Sequence, residues 1–157
     1  MKKIIASLLL CPALVGPAGA VAKDVTIPTT LDNYSGRDAY LAVYVTKPDG
    51  SYDSTLWVAG SKQRYLGDLR GWISAMTAAG MTTLNLDGIT GASIGSGQTL
   101  TIHSNLADTL IDAGYTIHVE SAVEQGGEYP DDAVAPITSA PQQVSGKGYV
   151  ATLSVSM

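Results

Sequence analysis

Apolar positions recur mostly at every second residue along this chain, the period of a half-buried β-strand. Leu41-Ala42-Val43-Tyr44-Val45-Thr46 is rich in β-branched and aromatic residues and predicts a strand. Lys47-Pro48-Asp49-Gly50 then supplies turn chemistry: proline pre-sets one backbone angle and glycine tolerates a positive φ. Ser51 to Ala59 returns as a second strand ending on Leu56-Trp57-Val58, so the two segments predict a hairpin. Thr99 to His103 is the next strand. Tyr115 to Ala122 alternates clearly, with Tyr115, Ile117 and Val119 on one face. Lys147 to Val155 closes the chain as a strand with Tyr149, Ala151, Leu153 and Val155 in phase. Between these, Ser93–Gly97 reads as an exposed loop, Ala107–Gly114 as a connection and Gly126–Pro130 as a loop.

One segment breaks the alternation. Leu66, Leu69, Ile73 and Met76 recur at spacings of three and four, with Trp72 adjacent, which is one side of a short helix. Gly67 and Gly71 weaken it, each by about 1 kcal/mol relative to alanine. A short or irregular helix packed across a sheet edge is therefore expected. Short strands separated by turn signals, without strand–helix alternation, predict a mainly β protein. The expected fold is an antiparallel immunoglobulin-like β-sandwich with one short helix. A Rossmann domain does not fit.

Three spans follow from the same pass. Residues 1–22 have the composition of a secretory signal peptide: Lys2 and Lys3, an apolar run from Ile4 to Val15, then small residues with cleavage after Ala20 or Ala22. That run is too short and wrongly flanked to insert directly in the membrane. Residues 23–37 read as an extended lead-in adding an edge strand, and 38–157 as a single β-sandwich domain. Cys11 is the single cysteine and lies in the signal segment, without the small residues that precede a lipoprotein cysteine. Disulfides, thiolate metal sites, iron–sulfur clusters and Cys-x-x-Cys-His haem attachment are thereby excluded from the mature chain. Any redox role needs a cofactor not held by cysteine. The chain has 9 basic and 14 acidic residues, and loss of Lys2 and Lys3 makes it more acidic still. That balance disfavours nucleic acid and anionic membranes as partners.

Asp87-Gly88-Ile89-Thr90-Gly91-Ala92-Ser93 fits the pattern Asp-x-x-(Ser/Thr)-Gly-Ala-(Ser/Thr). It resembles the acceptor site of bacterial flavin transferases, which attach FMN through a phosphoester to the last hydroxyl. The resemblance implies covalent FMN on Ser93, with Asp87, Thr90, Gly91 and Ala92 as the surrounding cofactor-binding residues. A serine hydroxyl is a poor nucleophile and needs outside activation, so the acceptor needs accessibility more than reactivity. Gly91 and Ala92 add almost no bulk. Asp87 and Thr90 have side chains able to hydrogen-bond nearby backbone and hold a turn.

A second resemblance spans residues 38–157. Tyr40 to Val45, Leu56-Trp57-Val58, Arg64 to Trp72, the acceptor pattern, and Asp112 to Ala122 look like the predicted periplasmic "domain of unknown function 2271" family. That family's genes are often found near PepSY-type membrane proteins and flavin transferases, and it is thought to include flavinylated electron carriers. The resemblance implies a protein exported to the periplasm or beyond. Its partners would be a flavin transferase and a PepSY-type or other membrane redox protein. It would be an electron carrier, not a self-sufficient enzyme, with no catalytic residues of its own. Ser93 stands where threonine is commoner.

Other constellations read more simply. Trp57, Trp72, Tyr65, Lys62, Arg64 and Arg70 are both aromatic and basic. They suit a flavin face or docking patch, but also a core with a charged rim. His103 and His118 each follow Thr-Ile on an outward strand face, where neighbouring strands bring two ligands but no obvious third. Asp108, Asp112, Asp131 and Asp132 lack calcium-loop spacing. The alternative to the carrier is a cofactor-free periplasmic binding or accessory module that uses a sheet face or edge strand.

Overall fold

A computed structural model describes residues 21–60, 62–82, 86 and 88–157. The proposed signal segment lies almost wholly outside the described residues, as does Asp87. Among them the strands are β1 (Ala22–Leu31), β2 (Ala39–Thr46), β3 (Tyr52–Ala59), β4 (Thr90–Gly91), β5 (Thr99–Ala107), β6 (Thr116–Val123), β7 (Gly127–Pro136), β8 (Gln142–Ser145) and β9 (Val150–Val155). A 3-10 turn over Gln63–Asp68 leads into the helix α1 (Arg70–Ala78). The strands form a four-stranded sheet, β5-β1-β9-β8, and a five-stranded sheet, β4-β3-β2-β6-β7. Every named pairing is antiparallel except β3 with β4. This is the mainly β, sandwich-like arrangement with one helix that the sequence predicts.

β2 organises the molecule because both of its faces are buried. Leu41, Val43 and Val45 point between the sheets and meet Ile27, Ile117 and Leu153. Tyr40, Ala42 and Tyr44 point the other way, into a second core with Leu66, Leu69, Trp72 and Met76. The helix therefore covers the outer face of the five-stranded sheet and not its edge. An apolar outer face on β2 would otherwise be left in water, and each large apolar side chain so buried contributes about 1.5–3 kcal/mol. The helical stripe is also turned by one position. Trp72 is fully buried and Ile73 only half-buried, because Leu66 lies in a three-per-turn segment and Leu69 at its junction with α1, both ahead of the helix.

Three strand expectations change. β1 is an inner strand between β5 and β9, not an edge or a lead-in to the sheet. Its alternation, with Val25, Ile27 and Leu31 buried, is diluted in sequence by Thr26, Pro28, Thr29 and Thr30. Gly126–Pro130 is not a loop: the chain turns at Gly126, whose amide donates to Val123 O at 2.8 Å, and β7 starts at Gly127. Pro130 and Asp131, with φ of 51°, mark a bulge in an edge strand, where a missing N–H is tolerated. In β9 the register skips at Ala151, so Val150, Leu153 and Val155 are buried rather than a strictly alternating set.

Two buried carboxylates tie these parts together. Asp132 of β7 accepts hydrogen bonds from the Ser121 hydroxyl and from the amides of Lys147 at 2.8 Å, Gly148 at 2.7 Å and Val150 at 3.0 Å, joining the two sheets. Glu120 of β6 is fully enclosed and accepts the amides of Gly71, at 2.9 Å, and Trp72. These are free N–H groups of the first turn of α1, so Glu120 caps the helix from the sheet and sits at its positive end. Burial nonetheless pushes the Glu120 carboxyl above its usual range, outweighing the two amide bonds that lower it.

Gly71 belongs to this cap. A Cβ there would lie 2.9 Å from Glu120 Oε2 and 3.2 Å from Pro130 Cβ. Gly71→Ala is expected to destabilise the fold by about 1–3 kcal/mol in urea denaturation, through overpacking. On helix propensity alone the same change would stabilise by about 1 kcal/mol, so a more stable variant contradicts the close approach.

The raised carboxyl also predicts a pH dependence. Folding takes up a proton at Glu120, so its contribution is full below the unfolded pKa and is lost as pH rises through the folded one. The stability gap between wild type and Glu120→Gln should be widest at pH below the ordinary glutamate range and should narrow as pH rises above that range. A gap that widens with pH is the contrary result.

Candidate functional site

The acceptor segment is threaded along one margin of the five-stranded sheet. Leu86 is buried and Ile89 half-buried against the second core, so the chain arrives anchored beneath α1. Ile89 O accepts from Val58 N at 2.8 Å, and Gly91 O from Gly60 N at 2.8 Å; these bonds make β4 a short parallel partner of β3. Three residues on, Ile94 exchanges both main-chain bonds with Ala39, at 2.7 and 2.9 Å. Between these anchors Ala92 is exposed and Ser93 half-buried. The Ser93 hydroxyl makes no hydrogen bond among the described residues.

Gly91 is fixed by packing. A Cβ would lie 2.7 Å from Trp57 Cζ2, because the indole lies flush against the loop backbone. The Trp57 N–H is enclosed and has no hydrogen-bond partner among the described residues. Thr90 is exposed and contributes main-chain pairing. Asp87 lies outside the described residues.

Ser93 opens onto a surface groove of about 300 Å³ shared with Arg37, Asp38, Tyr40, Lys62 and Glu124. Sequence reading missed Arg37, Asp38, Tyr40 and Glu124 as neighbours of Ser93. Arg37 Nη1 pairs with Glu124 Oε2 at 3.1 Å, and the Tyr65 hydroxyl donates to Glu124 Oε1 at 2.9 Å. Tyr40 and Tyr65 meet edge to face at 5.8 Å. The Lys62 ammonium lies 5.8 Å from the Tyr65 ring centre and the Arg64 guanidinium 4.6 Å from it. Behind the groove-lining Arg37, the Tyr34 hydroxyl donates to Arg37 O at 3.1 Å. Burial, and then the charge of Asp38, push the Tyr34 phenol above its usual pKa, which keeps it a protonated donor. The groove thus sets two cations and two carboxylates around one unengaged hydroxyl.

The aromatic and basic cluster separates in space. Trp72 and Leu69 are core, as the simpler reading has it, and Trp72 Nε1 donates to Thr55 Oγ1 at 2.9 Å. Arg70 faces Glu128 at 3.4 Å. Lys62, Arg64 and Tyr65 remain together at the groove.

The two histidines stand in different sheets, so they do not form a shared metal site. His103 lies near Thr26 Oγ1, at 3.3 Å. His118 Nδ1 faces Asp131 Oδ1 at 2.6 Å, and its Nε2 is 2.9 Å from both Thr46 and Thr116 hydroxyls. Thr46 is only 5% exposed, so this set is a polar tie among β2, β6 and β7. Among the described residues no group of three or more His, Cys, Asp or Glu is placed to hold a metal. No helix among them is long and apolar enough to cross a membrane.

Fold and site together define a two-sheet β-sandwich that presents a serine on an anchored loop beside a charged groove. Residues 22–152 match the family described as predicted periplasmic protein (DUF2271), and the chain belongs to that family. Comparisons with curated proteins and with solved structures return no match.

The Trp57–Gly91 contact gives a direct test of the loop's anchoring. Gly91→Ala is expected to lower stability by about 1–3 kcal/mol. Trp57→Leu in the same chain should recover part of that loss, since the two changes act on one contact. Additive losses in thermal denaturation would show that the indole does not set the glycine requirement.

Proposed function

We propose that this protein is an exported electron carrier bearing FMN through a phosphoester on Ser93. The observation that carries the reading is the state of Ser93: it lies in a flavin-acceptor pattern, between two main-chain anchors, with a hydroxyl that the fold does not use. The residues present fit the group. Ser93 supplies the attachment oxygen, and Arg37 and Lys62 supply positive charge beside it. Bound there, FMN supplies one- and two-electron transfer, and the protein supplies position and environment.

Attachment is a substitution at phosphorus done with a flavin transferase. Ser93 Oγ attacks the flavin-side phosphorus of FAD, the new O–P bond replaces the bond to AMP, and AMP leaves. The hydroxyl proton would pass to a base supplied by the transferase, and a divalent metal held by that enzyme would polarise the attacked phosphate. The anchors at Thr90–Gly91 and Ile94 hold the loop extended while Ala92 leaves one side open for that enzyme. Outside the cytoplasm a dissociable flavin is lost by dilution. A tether holds it at an effective concentration near about 1 mM. Electrons would arrive from a PepSY-type or other membrane redox protein and leave to an outer acceptor.

A second reading rests on β5, which spans nine residues at the open edge of the four-stranded sheet. A cofactor-free accessory module would add a partner strand there. It would stay colourless under all conditions, with binding unchanged by Ser93→Ala.

Co-expression with a flavin transferase should yield a fluorescent band that survives denaturing electrophoresis. Ser93→Ala should abolish it and Ser93→Thr should keep it. An unlabelled wild type beside a working transferase would sink the carrier reading.

A further inference from the structure

We infer that Lys62 and Arg37 form a seat for the phosphate ester on Ser93, so that the attached nucleotide is fixed in the groove and does not swing on a bare tether. This rests on the carrier reading of Ser93 and adds to it a binding site with named positioning residues.

The charges of the groove are unequally engaged. Glu124 has both oxygens occupied, one by Arg37 at 3.1 Å and one by the Tyr65 hydroxyl at 2.9 Å. Lys62 has no carboxylate partner among the described residues; its ammonium rests 5.8 Å from the Tyr65 ring centre. A phosphodiester brings one more negative charge into a groove that already holds Asp38 and Glu124. Such a charge is repelled unless a cation answers it, and Lys62 is the cation left unpaired. Its backbone is fixed: Lys62 precedes the 3-10 turn and its carbonyl accepts from Tyr65 N at 3.0 Å, while the four-carbon stem keeps the ammonium movable. Arg37 contributes differently. One guanidinium nitrogen is held by Glu124, and the remaining donors of the fork are available to a second oxyanion. Arg37 is thus the cation oriented by Glu124, and Lys62 the one that can close on the ester.

Size sets what is seated. About 300 Å³ is the low end for a ligand site. It takes the ester and the start of its sugar chain. A groove of that size would leave the ring system outside it, within reach of another redox protein. Lys62 and Arg64 both lie over the Tyr65 ring, so Tyr65 helps set the cation positions.

The test compares wild type, Lys62→Ala, Lys62→Arg and the Lys62→Ala/Arg37→Ala double variant, each co-expressed with a flavin transferase. Intact mass establishes that Ser93 is labelled, and circular dichroism that each chain is folded. The labelled proteins are then read by flavin fluorescence anisotropy and by phosphorus NMR of the ester. Wild type should show high anisotropy and an ester resonance shifted from that of a labelled unfolded chain. Lys62→Ala should lower the anisotropy by roughly two-fold, as nanosecond motion of the tether is released. The double variant should bring the resonance to the unfolded position, and Lys62→Arg should restore both signals. A labelled double variant indistinguishable from wild type overturns the seat while leaving the carrier reading intact. A wild type that takes no label overturns both.

Discussion

The Glu120 carboxylate is the constraint on which the rest of this molecule turns. It sits in the middle of the five-stranded sheet, on the outer face of β6, where a charge has no reason to be unless something answers it. The answer is the N-terminus of α1, whose Gly71 and Trp72 amides close on the two oxygens. That contact fixes where the helix starts and which way Trp72 enters the second core. With the helix in place, β2 can be apolar on both faces. The chain leaving the helix then returns through Leu86 and Ile89 into the same core and emerges beside β3. The loop that carries Ser93 is therefore placed through a buried carboxyl and its two amides, several elements away.

Much of this architecture is legible in the amino-acid order, and the exceptions share a cause. The β2–β3 hairpin, β6 and the helical stripe announce themselves because one local period persists for six or more residues. β1 is harder to see because threonine and proline occupy positions that its neighbours, not its own composition, make strand-like. β7 carries a glycine–proline signature that means a turn followed by a bulge rather than a loop. In β9 a register skip breaks the alternation that the sequence itself shows. Glycine at 71 looks like a weak helix former until the carboxylate against it is known. Each of these is a tertiary decision taken over a local preference.

The site divides in the same way. The loop that carries Ser93 is a contiguous pattern and can be read directly. Its groove is not, because Arg37, Tyr40, Lys62 and Glu124 come from separate segments. The β2–β6 register pairs Ala39 with Val123, so residues just before β2 and just after β6 leave the sheet at the same end. The bridge between Ala39 and Ile94 then brings Ser93 to that end as well. No local pattern encodes this meeting; strand pairing does. Lys62, Arg64 and Tyr65 alone stood out beforehand, as members of an aromatic and basic stretch.

The acceptor pattern also separates into residues the fold explains and one that it does not. Gly91 is required by Trp57, and Thr90–Gly91 by their pairing with β3. A protein with no ligand at all would need that much. Ser93 is different. Among the described residues its hydroxyl satisfies no backbone group and caps no helix, yet the chain around it is held by anchors on either side. Serine ordinarily earns a loop position by bonding its own backbone. Here that explanation is missing, and the groove beside it holds a cation without a carboxylate partner among the described residues. An unengaged hydroxyl and an unpaired ammonium on one small surface are what an anionic ester would complete. The packing that fixes the rest of the loop is what gives that pairing its chemical meaning.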